Sequence, residues 1–156
     1  MDETYILIKG VWKYLYRAVD KAGKTIEFLL TAKRDKKAVM RFFEKAMLAN
    51  SIPKKVTMDK SGANKSAIDQ IIEDKDIAVE VRQIKSLNNI VEQDHRAVKR
   101  NTRPMLGFKS FRAAAQVLAW IELMHMIRKG QMAVPGWEGQ SFAKQFYSLA
   151  GQVRPA

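Results

Sequence analysis

Asp59 follows the short run Lys55-Val56-Thr57-Met58 and precedes the small loop Ser61-Gly62-Ala63. A carboxylate at the carboxyl end of a strand stands where open α/β sheets bind ligands. It reads equally as a turn or helix-capping carboxylate. Two further acids can meet it if the first strand lies beside the fourth: Asp2, at the start of that strand, and Glu92, early in a helix that begins near Asn88. The chain holds 16 acids, which permit many such triples, so spacing alone does not select this one.

The helix around Glu92 carries a second kind of chemistry. At 100° per residue, Arg96, Lys99 and Arg103 fall within about 40° of Glu92, with His95 beside them. Ile90, Val91, Ala97 and Val98 fall on the other side, which predicts that this side packs on a sheet; Asp94 lies within the apolar arc and does not fit. The stripe reads either as a solvated face with Glu92 and Arg96 as an i,i+4 pair or as a set of positioned charges. Between Asp94 and Glu122 there is no acid, while Arg96, Lys99, Arg100, Arg103, Lys109 and Arg112 are cationic, with Phe108 and Phe111 interleaved. Such a segment can neutralise phosphates, release counterions and stack on bases or sugars. The alternative is a solvated basic surface over buried phenylalanines.

The elements that must position these residues follow from pattern. Tyr5 to Ile8, Trp12 to Val19 and Thr25 to Thr31 are strand-like runs separated by the turn signals Lys9-Gly10 and Asp20-Lys21-Ala22-Gly23. The spacings are too short for crossovers, so an antiparallel meander is predicted. From Asp35 to about Ala49 the apolar period becomes helical. Lys55 to Met58 reads as a strand, Asn64 to Ile72 as a helix, Ile77 to Val81 as a strand, Asn88 to Thr102 as a helix stopped before Pro104, and Ser110 to Arg128 as the last long helix. The tail from Val134 through Phe146-Tyr147 reads as a short helix. This order predicts an α/β domain, of the kind found in ribonuclease H-like folds, with a meander joined to parallel strands by crossovers.

With 156 residues, 47% of them hydrophobic, the chain can build a core, which excludes disorder throughout. Twenty-eight Lys and Arg against 16 Asp and Glu leave +12, an imbalance that favours a polyanionic partner. The absence of cysteine excludes a disulfide framework, a zinc finger and a thiol nucleophile. The acidic start Met1-Asp2-Glu3-Thr4 does not resemble a signal peptide. Ala113 to Ile127 is interrupted by Gln116, Glu122 and His125 and is too short and polar for a membrane span, so a cytoplasmic protein without a membrane partner is expected. Glu122 and His125 make only one Glu-x-x-His, where a di-iron bundle needs two. Trp120, Leu123, Met124 and Ile127 read as core or as a contact between copies.

Longer runs carry a resemblance. Asp2-Glu3-Thr4-Tyr5, Tyr14-Leu15-Tyr16-Arg17-Ala18-Val19-Asp20 and Asp59-Lys60-Ser61-Gly62-Ala63-Asn64 each look like signatures of bacterial insertion-sequence transposases. The stretches Asn88 to Arg100, Thr102 to Phe111 and Glu122 to Gly130 extend the match over nearly the whole chain, which resembles the insertion-sequence six family of DDE transposases.

The resemblance implies a ribonuclease H-like, retroviral-integrase-like catalytic domain: a mixed five-stranded sheet with flanking helices. It implies Asp2, Asp59 and Glu92 as the catalytic metal-binding triad, holding two Mg²⁺ or Mn²⁺ ions for in-line phosphoryl displacement. Lys99, Arg96 and Arg103 would position DNA phosphates, with Arg100, His95 and Lys109 as further DNA contacts. The partners it implies are DNA, as insertion-sequence ends and target, and a second copy or a full-length transposase. Residues 1–104 would form the catalytic core, its first strand truncated, and 105–156 a C-terminal helical extension, with the family's N-terminal helix-turn-helix domain absent. The reading it leaves beside catalysis is a remnant that acts only as a basic DNA-binding or transposase-interacting module.

Overall fold

Turn chemistry folds the N-terminal third. In the computed structural model, which describes residues 1–84, 89–132 and 139–152, β1 (Asp2–Ile8), β2 (Val11–Val19) and β3 (Thr25–Thr31) pair antiparallel in that order. Lys9 and Gly10 both take positive φ, 50° and 72°, the backbone that a two-residue hairpin loop requires. The next turn is tied by Asp20, whose Oδ1 accepts from the nitrogens of Ala22 and Lys24 at 2.8 Å each. The register sets Asp2 opposite Arg17 and Ile8 opposite Val11.

Helix α1 (Lys36–Ala49) starts where Asp35 accepts from the Ala38 nitrogen at 2.8 Å, satisfying one of the free first-turn donors. Strands β4 (Lys55–Thr57) and β5 (Glu80–Arg82) pair in parallel around helix α2 (Gly62–Lys75). Ile77 to Val79 are not strand as the pattern predicts. Asp76 adopts a left-handed conformation, φ 48°, and the Ile77 nitrogen still bonds back to the Ile72 carbonyl at 3.2 Å, so the chain is leaving α2 there. Helices α3 (Asn89–Thr102), α4 (Phe111–Arg128) and α5 (Phe142–Gln152) follow. Ser110 caps α4 by accepting from the Ala113 nitrogen. The expected helix start at Asn88 and the tail residues Val134 to Trp137 lie outside the described residues.

Among the described residues, five strands form two sheets, of three and two strands, rather than one mixed sheet. β1 and β4 meet through the Met1 nitrogen, which donates to the Thr57 carbonyl at 2.5 Å. The overlap is short because pairing in β1 begins at Asp2 and β4 has three residues.

Alternation along β2 sends successive side chains to opposite faces. Tyr16 packs with Ala38, Val39, Phe42, Phe43 and Ile68 on the α1–α2 side. Leu15 packs with Ile6, Ile8, Val98, Ala114 and Leu118 on the α3–α4 side. The segment read as a helical extension thus contributes α4 to the same sheet face. Of the α4 residues read as core or contact, Ile127 is buried whereas Trp120 is 58% exposed. Among the described residues no helix is long and apolar enough to cross a membrane.

Candidate active site

Asp2 opens β1 and Asp59 lies two residues beyond β4, just before α2. The two are neighbours, because the Met1 nitrogen beside Asp2 donates to the carbonyl of Thr57, two residues before Asp59. Burial holds the Met1 amine down at about 6, against the opposing pull of Asp2 and Asp59. Glu3, on the other face of β1, is pushed up by burial; Arg34, 2.6 Å away, opposes this, and the neighbouring charges of Asp59 and Asp2 add to it.

Asn64, buried in the first turn of α2, donates Nδ2 to Asp59 Oδ1 at 2.8 Å, and the Ser61 nitrogen approaches the same oxygen at 3.4 Å. Both use Oδ1, which leaves Oδ2 for another ligand. The Asn64 carbonyl oxygen is buried with no protein partner among the described residues. Asp2 Oδ2 lies 3.5 Å from His95 Nε2, within ion-pair reach but without the alignment of a hydrogen bond; among the described residues neither nitrogen of the buried imidazole has a hydrogen-bond partner.

Glu92 is half-buried in the first turn of α3. The structure does not bring it into a closed group with the two aspartates: among the described residues no three His, Asp or Glu side chains converge closely enough to hold a metal ion. Carboxylate oxygens are the donors that Mg²⁺ and Mn²⁺ prefer. Asp2 and Asp59 therefore fit such an ion in donor type and in shared position, with Glu92 on the neighbouring helix.

The observed phase of α3 differs from the predicted one. Val91, His95 and Val98 are buried, while Ile90 is 42% exposed at the helix start, near Gly23. His95 belongs to the inner face and stands against Asp2. Arg96, Arg100, Arg103 and Lys109 are exposed and Lys99 is half-buried, so these cations form the outer surface. Phe111 is 40% exposed beside them.

Sequence reasoning missed a polar network beneath this surface. Arg17, on β2 opposite Asp2, has no exposed side-chain surface, nor has Glu122 on α4. Arg17 Nη2 donates to Glu122 Oε2 at 2.7 Å and to Asp94 Oδ2 at 3.1 Å. Nε stands 2.7 Å from Glu122 Oε1 but off the hydrogen-bond line, so Nη2 carries the directional contacts. Lys129 Nζ holds both Asp94 oxygens, at 2.8 and 2.7 Å. Three anomalies signalled this: an arginine on the Leu15 face of a buried strand, an aspartate in an apolar helical arc and a glutamate in the most apolar stretch. Their signs are complementary.

His125, one turn after Glu122, is held down by burial. Arg17 and Lys129 reinforce that effect and Glu122 and Asp94 oppose it.

Comparison with known proteins follows this geometry. A family model of a DDE domain, that of IS240-type transposases, matches residues 1–131. The chain is 36% identical over 131 residues to the transposase for insertion sequence-like element IS431mec of Staphylococcus aureus strain Mu50, covering 83% of this chain and 57% of that protein. The same figures hold for the transposase for insertion sequence element IS257 in transposon Tn4003 of Staphylococcus aureus. The chain thus spans about 57% of the length of these relatives. Among solved structures, the catalytic core domain of BIV integrase superposes with a TM-score of 0.58 at 12% identity, covering 98% of this chain and 97% of that one. A chain of the simian T-cell lymphotropic virus intasome in complex with PP2A regulatory subunit B56 gamma gives a TM-score of 0.54 at 16% identity, over 63% of this chain and 36% of that one. These likenesses assign the α/β fold to the ribonuclease H-like, integrase-core class.

Proposed function

The chain belongs to the insertion-sequence six family of DDE transposases, and from that premise we propose that it is a transposase catalytic domain, cleaving and joining DNA strands at insertion-sequence ends by metal-dependent in-line displacement. The observation that carries this reading is the placement of Asp2 at the start of β1 and of Asp59 just past β4, two strands that meet at Met1 and Thr57, with Glu92 half-buried on α3. Asp2, Asp59 and Glu92 would hold two Mg²⁺ or Mn²⁺ ions, which when bound supply Lewis-acid activation of the attacking water or 3′-hydroxyl and of the leaving oxygen.

The chain's own residues do the rest. Asn64 holds Asp59 through Oδ1 and leaves Oδ2 for an ion. His95, buried against Asp2, is assigned to steadying that carboxylate rather than to touching DNA. Lys99, Arg96, Arg100, Arg103 and Lys109 form a cationic track that positions backbone phosphates without reading bases. Residues 1–104 would be the catalytic core and 105–156 the helical extension, with α4 supplying Glu122 to the core. The proposed setting is the bacterial cytoplasm, where the chain meets DNA and a second copy or a longer transposase.

One observation favours a second reading, a basic DNA-binding or transposase-interacting module without catalysis: no three acids converge among the described residues. Nicking and strand transfer on a supercoiled plasmid at low salt, with Mg²⁺ or Mn²⁺, separates the two. The catalytic reading expects activity that Glu92→Gln abolishes while DNA affinity and thermal midpoint hold. Folded wild-type protein that binds DNA without nicking it, or a Glu92→Gln variant that nicks as well as wild type, selects the non-catalytic module.

A further inference from the structure

Helix α3 carries Glu92, yet it is anchored by little apolar surface. Its buried residues are Val91, His95 and Val98, and among the described residues the histidine has no hydrogen-bond partner. Two valines fix the depth of a helix better than its rotation, because burial is non-directional. Directional contacts come from Asp94, bonded to Arg17 at 3.1 Å and to Lys129 at 2.8 and 2.7 Å. Arg17 is itself fixed from the other side by Glu122, and neither has exposed side-chain surface. At 100° per residue, Asp94 and Glu92 are about 160° apart across the buried stripe and flank it on opposite edges. Tying one edge therefore sets the other.

Building on the proposed function, we infer that Arg17, Asp94, Glu122 and Lys129 are positioning residues that fix the rotation of α3 and so present Glu92 toward Asp2 and Asp59. Arg17 is suited to this because it stands opposite Asp2 in the β1–β2 register. One guanidinium then references α3 and α4 to the strand that bears the first aspartate.

The test uses the full chain and three variants. Asp94→Asn leaves the Arg17–Glu122 pair in place, so the fold is retained. Lys129→Gln removes an anchor of Asp94 together with one positive charge. Asp94→Glu restores the charge on a longer arm. Mn²⁺ binding is followed by electron paramagnetic resonance, and α3 amides by hydrogen exchange against those of β1 to β3. Outer-shell partners typically change metal affinity by about 10- to 100-fold, and Asp94→Asn is expected to weaken Mn²⁺ binding roughly tenfold. Exchange should quicken in α3 alone, and Asp94→Glu should recover part of the loss.

Lys129→Gln separates positioning from simple charge: through charge alone it would tighten Mn²⁺ binding, and through positioning it weakens it. Mn²⁺ binding unchanged in Asp94→Asn, tighter binding in Lys129→Gln, or faster exchange throughout the molecule overturns the inference. Wild-type protein that binds no Mn²⁺ overturns the proposed function, and α3 exchange alone then decides whether the network holds the helix.

Discussion

Replacing Arg17 by Met leaves Glu122 as a buried carboxylate without its guanidinium, since both side chains are wholly buried. Removing one partner of such a pair costs about 3–5 kcal/mol, because the remaining charge is desolvated and uncompensated. For 156 residues, an unfolding entropy of about 2.1 cal/mol/K per residue makes each kcal/mol worth roughly 3 °C, so Tm should fall by about 9–15 °C. Glu122→Leu should sit at the lower end of that range, because Arg17 keeps Asp94 at 3.1 Å. Arg17→Met with Glu122→Leu removes both charges and fills much of the volume with apolar atoms, so the double variant should return to within about 1–2 kcal/mol of wild type. Urea and thermal denaturation of the four proteins close a double-mutant cycle. Single variants that each lose less than about 1 kcal/mol, or a double variant that loses the sum of the singles, would refute the account of this pair as a coupled buried charge.

Asn64→Ala frees Asp59 Oδ1 and should weaken Mn²⁺ binding by roughly 10-fold or more, measured by titration. His125 has its pKa lowered chiefly by burial, so the unfolded chain takes up that proton first as pH falls. Its contribution to stability is complete above the ordinary value of 6.5 and declines as pH drops through that value toward the lower folded one. Tm measured across that window should fall with pH, and less so in His125→Gln. Arg100 is exposed on α3, and Arg100→Ala should weaken duplex binding similarly on unrelated sequences and lower the slope of log K against log salt by about 1, read by fluorescence anisotropy.

What the sequence disclosed was local. The helix starts near Asp35 and Ser110, the turn at Lys9-Gly10 and the helical period from Ala38 to Met47 depend on neighbours in the chain and match the observed elements. Spacing also predicts that Asp2, Asp59 and Glu92 fall on a strand start, a strand exit and a first helical turn, as they do. Their mutual approach is not a property of spacing, since it depends on how far β1 overlaps β4 and how α3 rotates. Periodicity places Ile90 on the packed side and His95 beside the outer charges, and the observed rotation of α3 reverses both. A helix end beside a glycine turn can leave an isoleucine exposed, and a histidine can be buried when a carboxylate faces it.

The misreading of α3 and the unexplained Asp94 have one cause. Apolar periodicity locates a helix face only when apolar residues alone fill it, whereas here the inner layer between sheet and helices is partly charged: Asp2 and Arg17 from the sheet, Asp94 and His95 from α3, Glu122 from α4. Such a layer adds little net stability relative to well-packed apolar side chains. Its contacts are directional, however, and admit few arrangements. The proposed site, with its three acids on three separate elements, needs that restriction more than it needs stability, because a rotation of α3 that leaves both valines buried would still move Glu92 relative to the aspartates. The outer cations of α3 face the other way, into solvent, where a polyanion can reach them. One helix thus separates its charges by depth: Asp94 lies against the sheet, and Arg96, Arg100 and Lys99 lie outside.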